Sequence, residues 1–382
     1  YMSKDKKLDS TSRPYRRIVV KLGTRLLTGS GSQLNQETLR KLTSQVAQLH
    51  KQGMEILIVS SGAMAYGRHR LGITRKIKGI PYKQVLCAVG QSRLMSTYEQ
   101  LFEEYGIIVA QALLTKADLS ERAGYLNARN TLLSLLELGV IPIINENDVV
   151  AVDELEGRRF GDNDNLSAMV ANLVDADLLL LLSDIGGLYT ADPRRHPDAK
   201  LITVVQEIDD KIEQIAAGTM DSSAVGGMTT KIEAAKLATA SGVTVIIADG
   251  KEKDVILRIA GGENIGTRFL PTATRLESRK RWMLCGLCVR GKLVIDAGAA
   301  LALKSHNRSL LAAGIVSVDG EFDRGDIVDI YDTAGSHLAA GIVNYCSKDI
   351  DRIKGARSDK IAGIIGFDYG PEVVHRNNLA LV

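Results

Sequence analysis

Two lysines of this chain stand where a negative charge could be received. Lys21 closes an apolar run and is followed by glycine in "VVKLGT", and Lys231 ends "GGMTTK". Glycine lets backbone approach a ligand closely, and the lysine beside it supplies a cation. Thr230 with Glu233 has the form of a capping box, which predicts a helix starting at Thr230 with Lys231 in its first turn. Such a start offers unpaired N–H groups and a positive dipole end to an anion. The plainer alternative is a capped helix whose lysine faces water. The G-x-x-x-x-G-K-[ST] order of a P-loop is absent. A second group is acidic and amidic: Asn145, Glu146, Asn147 and Asp148 in "NENDVV", then Asp162, Asn163 and Asp164 in "FGDNDNLSA". Ser60, Ser61 and Gly62 in "SSGA" and the stretch "SDIGGLYTADPR" from Ser183 complete the inventory. Taken singly, each is explained by a turn or a solvated strand end. Together they suit two kinds of ligand group, the lysines and glycines phosphate oxygens, the Asp/Asn cluster an ammonium and a carboxylate. Phosphoryl transfer needs little more than such positioning and charge neutralisation.

These residues gain meaning from the elements that carry them. From Arg17 to about Gly262, apolar runs at Ile18, Glu55, Ile107, Val140, Asp177 and Val243 alternate with helical patterns. Leu39, Leu42, Val46 and Leu49 repeat at helical spacing before Gly53, and further helical segments cover Lys83 to Tyr105, Arg122 to Leu138 and Leu166 to Val174. Alternating strands and helices with two-sided apolar strands predict an α/β fold, a mostly parallel sheet sandwiched by helices. Ligands of such sheets gather at the carboxyl ends of strands, where the residues above fall. The boundaries expected are a flexible arm over 1–16, an α/β domain over 17–265, a linker over 266–281, a small mainly β domain over 282–370 and a tail over 371–382. The linker is read from the proline and basic cluster of "GTRFLPTATRLESRKRW", the β domain from short alternating stretches such as "GKLVIDAGA", "AGIVNY" and "IAGIIGF".

Composition narrows the classes. The net charge of +3 over 382 residues demands neither nucleic acid nor membrane. The apolar run Leu178 to Leu182 is far too short to span a bilayer. The opening "YMSKDKKLDSTSRPYRR" has no apolar core, so no signal peptide is expected, and four cysteines make no disulfide framework; the expected location is cytoplasmic. Cys285 and Cys288 form one C-x-x-C without a second pair, since Cys87 and Cys346 are isolated, and read as buried thiols on a strand. No histidine pair has ligand spacing.

"VVKLGT", "SSGAMAYG", "AVGQSRLM", "INENDVV", "GDNDNLSA", "SDIGGLYTADPR" and "GGMTTK" together resemble the amino-acid kinase family, and "INEND" followed by "GDNDNLSA" resembles its glutamate-phosphorylating branch. The order holds from about Arg17 to about Gly370, and "GEFDRGDIVDI" is similar to the PUA domain that many bacterial members carry. The charged arm before Arg17 and the loop "DELEGRR" depart from the pattern without touching its motifs. The resemblance implies phosphorylation of the γ-carboxylate of L-glutamate by ATP with Mg²⁺, feedback inhibition by proline, and a cytoplasmic homo-oligomer, dimer or tetramer. It implies that Lys21 and Lys231 contact the transferring phosphoryl group, with Asp162 and Asp164 in the same essential loop. Ser61, Asp148 and Asn163 would bind glutamate. Ser183, Asp184 and the run Val225, Gly226, Gly227, Met228, Thr229, Thr230 and Lys231, with Lys21, would hold ATP. The competing readings are a kinase of the aspartate or acetylglutamate type, and an RNA-binding protein acting through the PUA-like domain. Against RNA, 12 basic and 12 acidic residues balance from Arg281 to Val382.

Overall fold

The computed structural model describes residues 14–28, 35–73, 79–151, 163–193, 195–218, 227–272, 289–306 and 308–381. The chain forms two compact units, Tyr1–Ser120 with Ala128–Thr274, and Glu121–Asn127 with Arg275–Val382. The first unit, with α6 starting in the second, runs β1 (Arg17–Leu22), α1 (Thr24–Thr28), α2 (Gln36–Lys51), β2 (Glu55–Ser60), α3 (Ala63–Arg70), α4 (Ile80–Glu103), β3 (Val109–Leu114), α5 (Lys116–Ser120), α6 (Arg122–Glu137) and β4 (Ile141–Glu146). It continues with α7 (Asn163–Leu173), β5 (Leu178–Ser183), β6 (Val204–Val205), α8 (Asp210–Gly218), α9 (Met228–Thr239), β7 (Thr244–Asp249), α10 (Val255–Ala260) and β8 (Thr267–Phe269). Each apolar run of the sequence is a strand.

The strands form one eight-stranded sheet in the order β3-β4-β2-β1-β5-β7-β8-β6, parallel except where β8 meets β7. In β5 every residue of "LLLLLS" is buried, as a strand covered on both faces requires. α2 buries Leu39, Leu42, Val46 and Leu49, is capped by Asn35, whose side chain accepts from the Thr38 N–H at 3.1 Å, and gives way to Gly53 at φ +87°. α3 and α4 touch backbone to backbone: a Cβ on Gly90 would lie 1.7 Å from the Ala63 carbonyl oxygen, and one on Gly67 would lie 1.8 Å from that of Leu86. Only glycine permits that approach.

The linker expected from residue 266 begins later. Thr267 and Phe269 are fully buried members of β8, and Pro271 follows close behind to end pairing.

The second unit carries β9 (Gly291–Ile295), α11 (Ala297–His306), β10 (Leu310–Leu311), β11 (Ile315–Asp319), β12 (Ile327–Asp332), β13 (His337–Ile342), α12 (Ser347–Ile353), α13 (Ile361–Ile365), β14 (Glu372–Val374) and β15 (Leu379–Leu381). A five-stranded sheet, β11-β9-β12-β13-β15, accompanies the pair β10-β14. Two stretches read as strands contain helices. After Ile295 the alternation of "GKLVIDAGA" stops, because the Asp296 carboxylate accepts from the Ala299 N–H at 2.7 Å and starts an alanine-rich helix. In "IAGIIGF" a single turn, Ile361–Ile365, buries its two end isoleucines and closes at Gly366, φ +92°. Nor do residues 371–381 form a tail: β14 pairs with β10 and β15 with β13, and Val373 and Val374 are fully buried.

Candidate active site

β1 lies at the centre of the sheet with β2 on one side and β5 on the other, so the chain reverses its direction of travel across the sheet here. Ligands bind at such switch points, outside the carboxyl ends of the strands. Lys21 stands level with Val59 of β2 and Leu181 of β5, and Ser60, Ser61, Asn145, Glu146 and Ser183 end or follow the neighbouring strands. α7 brings Asn163 and Asp164 in its first turn, and α9 brings Thr230 and Lys231 in its own.

Asp164 is the centre of charge. Its carboxylate is wholly buried and meets the Lys21 ammonium at 2.6 Å through Oδ1 and the Lys231 ammonium at 3.1 Å through Oδ2. The Thr230 hydroxyl lies 2.9 Å from the same Oδ2. Burial alone would push the Asp164 carboxyl up; the two ammonium groups, Lys21 ahead of Lys231, outweigh it and hold the group well below the usual carboxylate range. Asp164 thus holds two ammonium groups side by side, buried and aligned. The capping box is absent: α9 starts at Met228 after Gly227, and the Thr230 hydroxyl serves Asp164 and the Gly227 carbonyl instead of its own helix start. Its burial beside the carboxylate explains the change of partner.

The amide cluster is wired differently. Asn163 Nδ2 donates to Ser61 Oγ at 2.9 Å and to Asn145 Oδ1 at 3.1 Å. Asn145 Oδ1 also accepts from the Glu146 backbone N–H at 2.9 Å, and Asn145 Nδ2 donates to Gln91 Oε1 at 2.9 Å. Asn163 has spent its donors, so only its oxygen remains, buried without a partner. Asp148 is likewise buried, with Oδ1 unpartnered, and its carboxyl is pushed up to about 6 by burial, against the smaller effect of a hydrogen bond from the Cys87 thiol. Behind this cluster the Ser60 hydroxyl meets the Tyr98 hydroxyl at 2.7 Å, both fully buried, and the Ser61 N–H donates to the Leu22 carbonyl at 3.2 Å.

The expected ATP-side residues divide. Ser183 is buried and its oxygen accepts from the Ile185 N–H at 3.2 Å, while Asp184 is exposed. Gly227 precedes α9, Met228 is half-buried, and the hydroxyl of Thr229 is buried without a partner. A cavity of about 540 Å³ between α8 and α9 is lined by Glu213, Ala217, Thr229, Ile232, Glu233 and Lys236 among others, a size suited to a small molecule. Asp162, Val225, Gly226, Cys285 and Cys288 lie outside the described residues. Gln91, within the quoted motif "AVGQSRLM", belongs to the site although nothing in its local sequence announces it; its link to Asn145 is made across the fold.

Among the described residues no group of three or more His, Cys, Asp or Glu side chains could hold a metal. Asp164, the central carboxylate, has both oxygens engaged by lysines. This donor set fits a Mg²⁺ that is carried by nucleotide phosphates and keeps much of its water. No helix among the described residues is long and apolar enough to cross a membrane.

Two family models match the chain. The Amino acid kinase family model matches residues 16–249, and the PUA domain model matches residues 291–365. A glutamate 5-kinase of Dehalococcoides mccartyi (strain CBDB1) is 57% identical over 368 residues, which cover 96% of this chain and 99% of the relative. A glutamate 5-kinase of Herpetosiphon aurantiacus is 51% identical, covering 95% of this chain and 97% of its own, and one of Caldanaerobacter subterraneus is 49% identical, covering 96% and 98%.

Proposed function

The chain belongs to the amino-acid kinase family, and from that premise we propose that it uses ATP to phosphorylate the γ-carboxylate of L-glutamate, giving γ-glutamyl phosphate for proline synthesis. One observation carries the reading: a buried carboxylate, Asp164, holds two lysine ammonium groups together beside a cluster of unpartnered polar atoms. The lysines supply positive charge for a phosphoryl group; the unpartnered atoms supply hydrogen bonds for an amino acid.

The attacking carboxylate of glutamate has a reference pKa of about 4.3 and is ionised at neutrality, so the reaction needs no general base. Its oxygen forms the new bond to the γ-phosphorus of ATP as the bond to the bridging oxygen breaks and ADP departs. What opposes this step is repulsion between two anions. Lys21 and Lys231 offset that repulsion, and because Asp164 already holds them, little reorganisation accompanies the reaction. Mg²⁺ carried on the nucleotide would neutralise further phosphate charge when bound. Ser183, Asp184 and residues Val225 to Lys231 are assigned to ATP, with the cavity beside Thr229 as room for part of the nucleotide. Asp162 is assigned to the essential loop it shares with Asp164.

Asp148 and Asn163 each leave a buried acceptor oxygen, which suits a substrate ammonium, and Ser61 completes the set. This favours a free amine over an N-acetylated one, and so glutamate over acetylglutamate. The proposed setting is a cytoplasmic homo-oligomer, dimer or tetramer, inhibited by proline, in which the second unit has a structural or regulatory role. ATP consumption measured with L-glutamate, L-aspartate and N-acetyl-L-glutamate tests the assignment. Turnover with L-glutamate at least about tenfold above the others is expected; turnover confined to either other acid would overturn it.

A further inference from the structure

The hydrogen-bond polarity of the amide cluster is dictated by one backbone group. The Glu146 N–H can only donate, so the side-chain atom of Asn145 that meets it must be the oxygen. The other end of the Asn145 amide is therefore its nitrogen, which donates to Gln91. Gln91 must answer with its oxygen, and its nitrogen Nε2 is left over, a buried donor without a partner. The same oxygen of Asn145 accepts from Asn163, which leaves Asn163 Oδ1 as a buried acceptor without a partner. A single N–H thus writes a donor at one end of the chain of amides and an acceptor at the other. Asp148 Oδ1 adds a second acceptor.

An α-amino dicarboxylate requires two kinds of partner. Its ammonium needs acceptors, which Asn163 and Asp148 provide, and the carboxylate that reacts faces Lys21 and Lys231. The second carboxylate needs a buried donor, and Gln91 Nε2 is the donor of this network with no other use. We propose that Gln91 determines specificity, its amide nitrogen donating a hydrogen bond to the substrate carboxylate that does not react. This rests on the glutamate reading above. It assigns to α4, a helix that carries no strand-end motif, direct contact with the substrate.

Two variants separate this role from that of a prop for Asn145. Gln91→Glu keeps an acceptor oxygen for Asn145 and replaces the donor by a negative charge. Gln91→Met removes both. Gln91→Glu should lower kcat/KM for glutamate by about 30-fold or more, since a repulsive group replaces an attractive one, with the ATP KM within about twofold of the parent. Gln91→Met should lower it by about tenfold. If Gln91 only props Asn145, Gln91→Glu behaves as the parent and Gln91→Met alone is impaired, and the proposal falls. Should Gln91→Glu fail to fold, inhibition by 4-aminobutyrate, which keeps the reacting carboxylate and lacks the other, decides on Gln91→Met. Its inhibition constant should stay at the parent value while glutamate weakens; equal weakening of both overturns the contact. A parent chain that consumes no ATP with glutamate would overturn the underlying reading instead, before any variant is made.

Discussion

The two halves of the candidate site differ in how they are finished. Around Asp164 both carboxylate oxygens already meet a lysine ammonium within the chain. Around Asn163 and Asp148 buried oxygens, and a buried nitrogen on Gln91, have no partner. Both halves place ionisable groups away from water, yet with opposite results: Asp164 is held well below the usual carboxylate range, while Asp148 is pushed up to about 6. Under the proposed function the difference follows from what each half has to do. A phosphoryl group in transit must meet charge already fixed in place, whereas a substrate is recognised by the hydrogen bonds it alone can complete.

Breaking the finished half has the largest consequence. Asp164→Asn removes the carboxylate charge that two buried ammonium groups share, and loss of one partner of a buried ion pair costs about 3–5 kcal/mol. A strongly lowered melting temperature and a kcat down by about 10³ or more are expected; a stable, active Asp164→Asn chain would show that the lysines do not depend on it. Lys21→Met retains the stem's packing and removes the ammonium. It should lower kcat by about 10²–10³ with a lesser effect on either KM. Steady-state kinetics decides between this and a ground-state anchor for ATP, which would raise the ATP KM and spare kcat.

Smaller effects belong to the unfinished half. Asp148→Asn should raise the glutamate KM by about tenfold, about 1.4 kcal/mol, with ATP little affected. The same residue gives a pH signature. Asp148 must be ionised to pair with an ammonium, so kcat/KM for glutamate should fall by about tenfold per pH unit below pH 6 in the parent, and this limb should vanish in Asp148→Asn. The two carboxylates also oppose each other in stability. The contribution of Asp164, whose pKa is lowered, is fully present above its ordinary value of 3.8 and is lost as pH falls further. Asp148, whose pKa is raised, favours the folded state on the acid side and does so less as pH rises from 3.8 through about 6. The smallest change expected is Tyr98→Phe. Removing one buried hydrogen bond to Ser60 should cost about 1 kcal/mol by denaturant unfolding, with the glutamate KM within about threefold.

Much of this was legible in the sequence because a parallel sheet sends its chemistry to strand ends. Lys21, Ser61 and Asn145 were picked out as residues that end or follow apolar runs, and Asp164 as part of the helix-start string "GDNDNLSA". What the strings concealed were contacts between distant segments. Gln91 lies in a helix and reaches the site only through bonds made across the fold, its own to Asn145 and that of Tyr98 on the same helix to Ser60. Thr230 misled for the same reason, since a hydroxyl with a local capping pattern found a carboxylate from another helix. In the second unit, "DAGAALALKSH" and "IAGIIGF" mix glycine, alanine and apolar residues without a clear period, so the helices there were hidden by composition rather than by distance.

The paired glycines where α3 crosses α4 leave these helices no slack. α3 begins directly after Ser61 and Gly62, and α4 bears Gln91 one position beyond Gly90. A methyl group at either glycine would collide with a carbonyl oxygen of the opposite helix and wedge the pair apart. Ser61 and Gln91 are therefore harnessed to one joint, like two jaws on a single pivot. An alanine at that joint should displace Ser61 and Gln91 together, and so misalign the proposed substrate pocket from behind.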